Sequence, residues 1–380
     1  MQIPLVDLKA QYASIKDEID AAIRAAVERA AFIGGPFVQR FEDAFARYCE
    51  RPHAVGCGNG TDALRLAMEA LGIGAGDEVI VPSHTFFASA EAVAQLGAVP
   101  VFADVEEGGF TLDPAAVAKL VTRRTRAVIP VHLYGHPCDM DAILEIARRH
   151  DLEVIEDCAQ AHGARYKGRR TGTFGAAGCF SFYPAKNLGA FGDAGAVVTA
   201  NPELARRVAA LRDHGRSSKF DHERLGVNSR LDDLQAAVLC AKLPHLDAWN
   251  EARRRAAAEY DRLLADEPRV GVPAVRPATE PVYHLYVVRV PERDRVANAL
   301  RDRQIGAGIH YPIPCHLQRP FAERTHAGLP RTERLAGEVL SLPLFPEIRP
   351  EEIRHVAETL RAVLSDLATN QELAVSAGDA

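Results

Sequence analysis

No dense basic block occurs anywhere in this 380-residue chain. Its 45 Lys and Arg are outnumbered by 51 Asp and Glu, giving a formal net charge of -6. Nucleic-acid binding as the main activity is therefore disfavoured. Short basic runs such as Arg123-Arg124 and Arg253-Arg254-Arg255 read as solvated helix faces. CxxC pairs are missing, and the 7 cysteines (Cys49, Cys57, Cys138, Cys158, Cys179, Cys240, Cys315) are odd in number. That pattern speaks for free thiols in a reducing compartment, against disulfides and zinc. The start, Met1-Gln2-Ile3-Pro4, lacks a basic region followed by an apolar stretch, so no secretory signal is expected. Apolar runs are broken by Gly, Pro or charge before membrane length. A cytoplasmic protein is the expectation. Nor is there a GxGxxG after the first strand, a P-loop or an HExxH. These absences count against a nucleotide-dependent oxidoreductase, a P-loop enzyme and a zinc hydrolase.

What remains is an ordinary globular composition, 47% hydrophobic and 25% charged. The length exceeds one compact core and predicts two domains. Leu8 to Arg29 has helical spacing, Gly34-Gly35-Pro36 breaks it, and Phe37 to Cys49 is helical again. From Ala54 short apolar runs alternate with helices: Glu78–Val81, Val99–Phe102, Ala127–Val131, Glu153–Ile155, Cys179–Phe182 and Ala196–Thr199. Runs without polar alternation suit strands buried on both faces. The pattern is α/β with a largely parallel sheet, whose ligands bind at the carboxyl ends of strands. Past Leu243-Pro244 come a charged helix (Ala248 to Leu264), prolines at 268, 273, 277 and 281, a strand (Tyr283–Val290) and a helix (Arg293 to Arg303). We expect a large domain over 1–245, including the N-terminal helix, and a smaller α+β domain over 246–380, its tail from Thr369 frayed.

Three constellations carry chemistry. In Gly58-Asn59-Gly60-Thr61-Asp62, small residues precede an amphipathic helix. Free N–H groups at such a helix start favour an anion; ordinary capping by Thr61 or Asp62 is the alternative. In Glu153-Val154-Ile155-Glu156-Asp157, an apolar strand ends in carboxylates, followed by Cys158-Ala159-Gln160. Such an acid can face a ligand crevice and hold the pyridine nitrogen of pyridoxal phosphate (PLP), or it can cap the next turn. In Ser181-Phe182-Tyr183-Pro184-Ala185-Lys186-Asn187-Leu188-Gly189, one lysine lies between a strand end and a glycine-rich loop. Desolvation there would free the amine for Schiff-base chemistry; a surface lysine is the alternative.

Taken together, from Pro4-Leu5-Val6-Asp7-Leu8-Lys9 to about Leu367, these motifs resemble the sugar aminotransferases of the DegT/DnrJ/EryC1/StrS group. The resemblance implies PLP fold type I, aspartate aminotransferase-like, with a mostly parallel seven-stranded sheet between helices. It implies that Lys186 carries PLP as a Schiff base and that Asp157 faces the pyridine nitrogen. Gln160 would lie near the ring hydroxyl, Gly60, Thr61 and Ser181 would cradle the phosphate, and Phe86 would stack on the ring. From the run Gly226-Val227-Asn228-Ser229-Arg230, Asn228 and Arg230 would reach into a neighbouring subunit's site, Asn228 to the phosphate, which implies a homodimer. Tyr183, Arg230, His310 and Tyr311 would face the substrate. The segment Ile309-His310-Tyr311-Pro312-Ile313-Pro314-Cys315-His316 looks like that of members acting on C3 of a 3-keto sugar nucleotide. Asp247–Arg255 and His284–Arg289 support the same subgroup. The expected reaction moves an amino group from L-glutamate to C3 of a dTDP-3-keto-deoxyhexose, in antibiotic or glycan biosynthesis. UDP-3-keto or 4-keto sugars are the nearest alternatives, and a non-catalytic PLP-binding regulator is one of another class. Some relatives are dehydratases with His in place of the lysine, and Lys186 argues against that reading. No metal is expected at His132, His136, His310 or His316.

Overall fold

The computed structural model describes residues 1–30, 32–272, 274–322 and 328–378, with side chains to Thr369. Pro273 and the last two residues of the polar tail lie outside the described residues. The chain opens with α1 (Leu8–Ser14), α2 (Lys16–Glu28) and α3 (Pro36–Tyr48). The expected single helix from Leu8 is thus two. Ile15 breaks it at φ -133 and ψ 27, and its side chain packs with Ile19, Val238 and Trp249.

Strands and helices then alternate: β1 (His53–Cys57), α4 (Gly60–Ala70), β2 (Glu78–Pro82), α5 (Ala88–Gln95), β3 (Val99–Ala103), α6 (Pro114–Leu120), β4 (Thr125–Val128), α7 (Met140–His150) and β5 (Glu153–Asp157). The short β6 (Arg165–Tyr166) and β7 (Arg169–Arg170) precede β8 (Ala177–Ser181), β9 (Gly195–Thr199), α8 (Pro202–Leu211) and α9 (Asp233–Lys242). Seven strands form one sheet in the order β1-β9-β8-β5-β4-β2-β3. Only β9 runs against the others, pairing antiparallel with both β1 and β8. Sequence reading misses β1, a short strand of small residues.

The period of two along each strand sorts side chains between two faces. Val79, Val81, Ala127, Ile155, Cys179 and Val197 join one core with α4 and α5. Ile80, Val128 and Val154 join another with α7, and Phe180, Phe182 and Val198 pack on α3 and α9. The same alternation separates the two acids ending β5. Asp157 shares the face of Ile155, and Glu156 that of Val154.

The remaining elements are α10 (Leu246–Leu264), β10 (Thr279–Glu280), β11 (Tyr286–Arg289), α11 (Arg293–Asp302), α12 (Arg319–Ala322), α13 (Pro330–Glu338), β12 (Val339–Leu342) and α14 (Pro350–Gly378). β10 joins β6 and β7 in a small sheet, and β11 pairs with β12. A second core gathers Tyr260, Tyr286, Val288, Val296, Leu300, Leu340, Val356 and Leu360. Ile3 is buried in this core too, bridged to Ile305, so the start of the chain packs with its last third. Among the described residues no helix is long and apolar enough to cross a membrane.

Candidate active site

A cavity of about 560 Å³ opens at the carboxyl ends of β5 and β8, between the sheet and the second core. Gly60, Thr61, Phe86, Asp157, Gln160, Ser181, Tyr183, Lys186, His310 and Tyr311 all line it. Asn228 and Arg230 do not line it in their own chain. Asn228 is exposed; Arg230 pairs with Asp213 at 3.3 Å and bridges Cys57 through its backbone.

At the core of the site are an amine and an acid. Burial lowers the Lys186 amine to about 8, and the Asp157 charge opposes that shift. Asp157 is itself buried, which raises its carboxyl. The Ser89 hydroxyl donates to Oδ2 at 2.8 Å and the Ala159 amide to Oδ1 at 3.1 Å; both favour the ionised form. Behind it, Glu156 accepts from the amides of Gly172, Phe174 and Gly175 at 2.7–2.8 Å. His132 Nε2 adds a fourth bond at 3.1 Å. Burial works against this carboxylate, and those partners hold it below its ordinary value. A Cβ on Gly175 would meet the Val154 carbonyl at 2.2 Å, so only glycine lets that turn reach the strand. Cys158 lies beside His132 and Glu156 in a metal-like trio. All four donors nevertheless come from the protein, and His132 Nδ1 accepts from the Cys138 amide at 3.1 Å. His136 packs edge-on against Tyr283, and burial lowers it to about 4.

At the anion end, α4 starts against Ser181. A Cβ on Gly60 would lie 2.5 Å from Ser181 Cβ. The helix is capped by Asn59, whose side chain accepts from the Asp62 amide at 2.8 Å, and not by Thr61 or Asp62. Thr61 is thereby left facing the cavity at a helix N-terminus. Phe86 lines the cavity with 55% of its surface exposed, whereas Phe87 packs on Phe321. Phe86 approaches Tyr311 at 5.7 Å between ring centroids. Gln160 accepts from the Tyr134 amide at 2.7 Å and donates to the Tyr311 hydroxyl at 3.1 Å. His310 bonds Ser341 Oγ through Nδ1 at 2.8 Å, and its carbonyl accepts from the Tyr134 hydroxyl.

Sequence reading missed several cavity residues: Leu5, Val6, Asp193 and His284. His284 opens the run His284–Arg289 that marks the subgroup, but nothing in that run singles it out as a cavity residue. Burial first, and the Lys186 charge second, keep His162, His284 and His310 neutral. None of these histidines, of which His284 and His310 line the cavity, adds a second positive charge beside the lysine. A buried amine, a buried carboxylate lining the same cavity, an aromatic face and a helix N-terminus against a serine suit PLP, whose ring, aldehyde and phosphate need these groups.

The model of the DegT/DnrJ/EryC1/StrS aminotransferase family matches residues 13–361. The dTDP-3-amino-3,4,6-trideoxy-alpha-D-glucose transaminase of Streptomyces venezuelae is 52% identical over 93% of this chain and 94% of its own. The UDP-N-acetyl-3-dehydro-alpha-D-glucosamine 3-aminotransferase of Acidithiobacillus ferrooxidans is 47% identical over 95% and 98%. The crystal structure of S. venezuelae DesV with a ketimine intermediate superposes with a TM-score of 0.93 at 51% identity, covering 95% and 98%.

Proposed function

The chain belongs to the DegT/DnrJ/EryC1/StrS aminotransferase family and depends on PLP, and from that premise we propose that it transfers an amino group from L-glutamate to C3 of a dTDP-linked 3-keto-deoxyhexose. The observation that carries the reading is Lys186, an amine depressed to about 8 in a cavity it shares with Asp157. The 52% identity to a dTDP-3-amino sugar transaminase supports the substrate.

When bound, PLP supplies a ring that accepts electrons and carries nitrogen between donor and acceptor. Lys186 would hold it through the amine. Asp157 would keep the proton on the pyridine nitrogen, the state that favours electron withdrawal. Gly60, Thr61 and Ser181 would bind the phosphate, and Phe86 would cover one ring face. Gln160 is committed to Tyr134 and Tyr311, so it would act near the ring hydroxyl through that network. Freed by the donor amine, Lys186 would take the proton from the donor α-carbon, and in the second half-reaction it would deliver one to C3 of the sugar. Two half-reactions through one site imply ping-pong kinetics. Tyr183, His310 and Tyr311 would orient the sugar nucleotide. Asn228 and Arg230 would complete the site of a second copy in a homodimer; their absence from the lining of their own cavity supports that reading.

We read residues 1–245 and 246–380 as two domains, supported by the separate core around β11 and β12. A cytoplasmic enzyme of antibiotic or glycan sugar pathways fits the relatives. The 47% identity to a UDP-sugar 3-aminotransferase favours a second reading, C3 amination of a UDP-3-keto sugar. Glutamate with a panel of dTDP- and UDP-linked 3-keto and 4-keto sugars, read by product mass and NMR, tests both. Amination only at C4 overturns the C3 assignment. Lys186→Ala should lose both turnover and the visible absorbance of the lysine-bound cofactor; turnover at the native rate overturns the role of Lys186.

A further inference from the structure

Three arms of the cavity meet on one turn of α10. Asn187, next to Lys186, is 1% exposed, and its Nδ2 donates to Asn250 Oδ1 at 2.8 Å and to the Val282 carbonyl at 2.9 Å. Asn250, also 1% exposed, donates through Nδ2 to the His162 carbonyl at 2.8 Å. His162 lies in the loop that follows Asp157, whose two successive turns are closed by the Ala161 amide on the Cys158 carbonyl and the Ala164 amide on the Ala161 carbonyl. One helical turn on, Arg253 Nη1 donates to the carbonyls of Tyr283, His284 and Leu344 at 3.1–3.4 Å. The acid's loop, the amine's loop and the strand lead-in bearing His284 are thus tied to a single helix face.

One detail argues against a role in stability alone. Asn187 commits both amide protons to the junction and leaves Oδ1 buried without a partner. A side chain chosen only to stabilise the fold would avoid that cost. The Lys186 backbone is held on one side by its own amide bonding the Tyr183 carbonyl at 2.8 Å. Across the loop, Lys242 Nζ bonds the Gly189 carbonyl at 2.8 Å. Asn187 supplies the restraint between these two.

We propose that Asn250 is a positioning residue that acts through Asn187 to fix the Lys186 amine relative to Asp157. This rests on the role given above to Lys186. A misplaced amine loses rate without losing substrate, because small displacements remote from the chemistry can cost up to about hundredfold. It also meets the Asp157 charge at a different distance, which moves its titration.

The test is Asn250→Ala, Asn187→Ala and the double variant, purified as holoenzymes beside Lys186→Ala. Each single variant should lower kcat by about ten- to hundredfold with KM for both substrates within about threefold. Each should also displace the pH midpoint of the cofactor's visible absorbance by about half a unit or more. The double variant should lose no more than the worse single one, since the two residues form one unit. Native kcat per folded molecule with an unmoved midpoint overturns the proposal and leaves a structural role. So do additive losses in the double variant. If Asn250→Ala yields no soluble protein, Asn187→Ala decides on the same two readouts, with α10 intact. Visible absorbance persisting in Lys186→Ala would instead overturn the lysine assignment itself.

Discussion

Burial at Lys186 makes a quantitative demand on the protein stripped of its cofactor. The amine titrates near 8 rather than 10.5. At pH 7 roughly a tenth of it is then neutral, against roughly 0.03% for a lysine in water, an enrichment of about 300-fold in nucleophile. Capture of free pyridoxal by the apoenzyme, followed by visible absorbance across pH 6–11, should rise with a midpoint near 8. Asp157 stabilises the ammonium form, so Asp157→Asn should move that midpoint lower still. A midpoint within about half a unit of 10.5, or an upward move in Asp157→Asn, refutes the reasoning. Stability follows by linkage. The folded pKa lies below the unfolded one, so between about pH 8 and 10.5 the unfolded chain holds a proton that the folded chain has released. Apoenzyme stability therefore rises with pH across that window, and below about 8 the whole penalty stands, at most about 3 kcal/mol. Lys186→Met should accordingly melt above the native apoenzyme at pH 7, with the gap narrowing towards pH 10. A lower melting point for Lys186→Met at pH 7 would contradict a desolvated amine.

Gly60→Ala forces α4 away from Ser181 and should cost about 1–3 kcal/mol of cofactor binding, about five- to hundredfold in the dissociation constant; an unchanged constant by equilibrium dialysis rejects the phosphate turn. Glu156→Ala leaves three amides and His132 without their acceptor, and at about 1–3 kcal/mol for each of these four buried orphans should cost at least about 4 kcal/mol in urea unfolding. Glu156→Gln should recover part of that, and a loss below about 1 kcal/mol for the alanine variant speaks against the clamp. Mixing Lys186→Ala with Arg230→Ala subunits tests the shared site. Random reassembly leaves about a quarter of sites with both residues intact, so activity should climb towards about 25% of native from two nearly dead proteins. No recovery in verified heterodimers refutes the contribution of Arg230 across the interface.

The chemistry was legible wherever it sits at an element boundary. Lys186 and Gly60 stand out because glycine and a strand end surround them. Asp157 was harder, since Glu156 precedes it and composition cannot say which acid faces the ligand. The period of two decides it once Ile155 is placed in the core beneath α4. The helix expected from Leu8 to Arg29 failed at Ile15, where packing against Val238 and Trp249 overrides local propensity. The contacts of Asn187 and Asn250 were opaque for a related reason. Their partners lie 63 to 95 residues away or on another element, and nothing in a local window announces such a meeting.

α10 starts at Leu246, where a boundary between large and small halves falls most naturally, yet its first turns already belong to the lysine's side of the cavity. That has a practical consequence for building chimeras. A sugar-recognition half transplanted from a relative at residue 245 would arrive with a foreign Asn250 and Arg253 set against a native Asn187. The graft would exchange the catalytic alignment together with the specificity it was meant to change. A seam placed after Arg253, inside the helix, keeps the amide pair from one parent and lets the rest of the recipient surface vary.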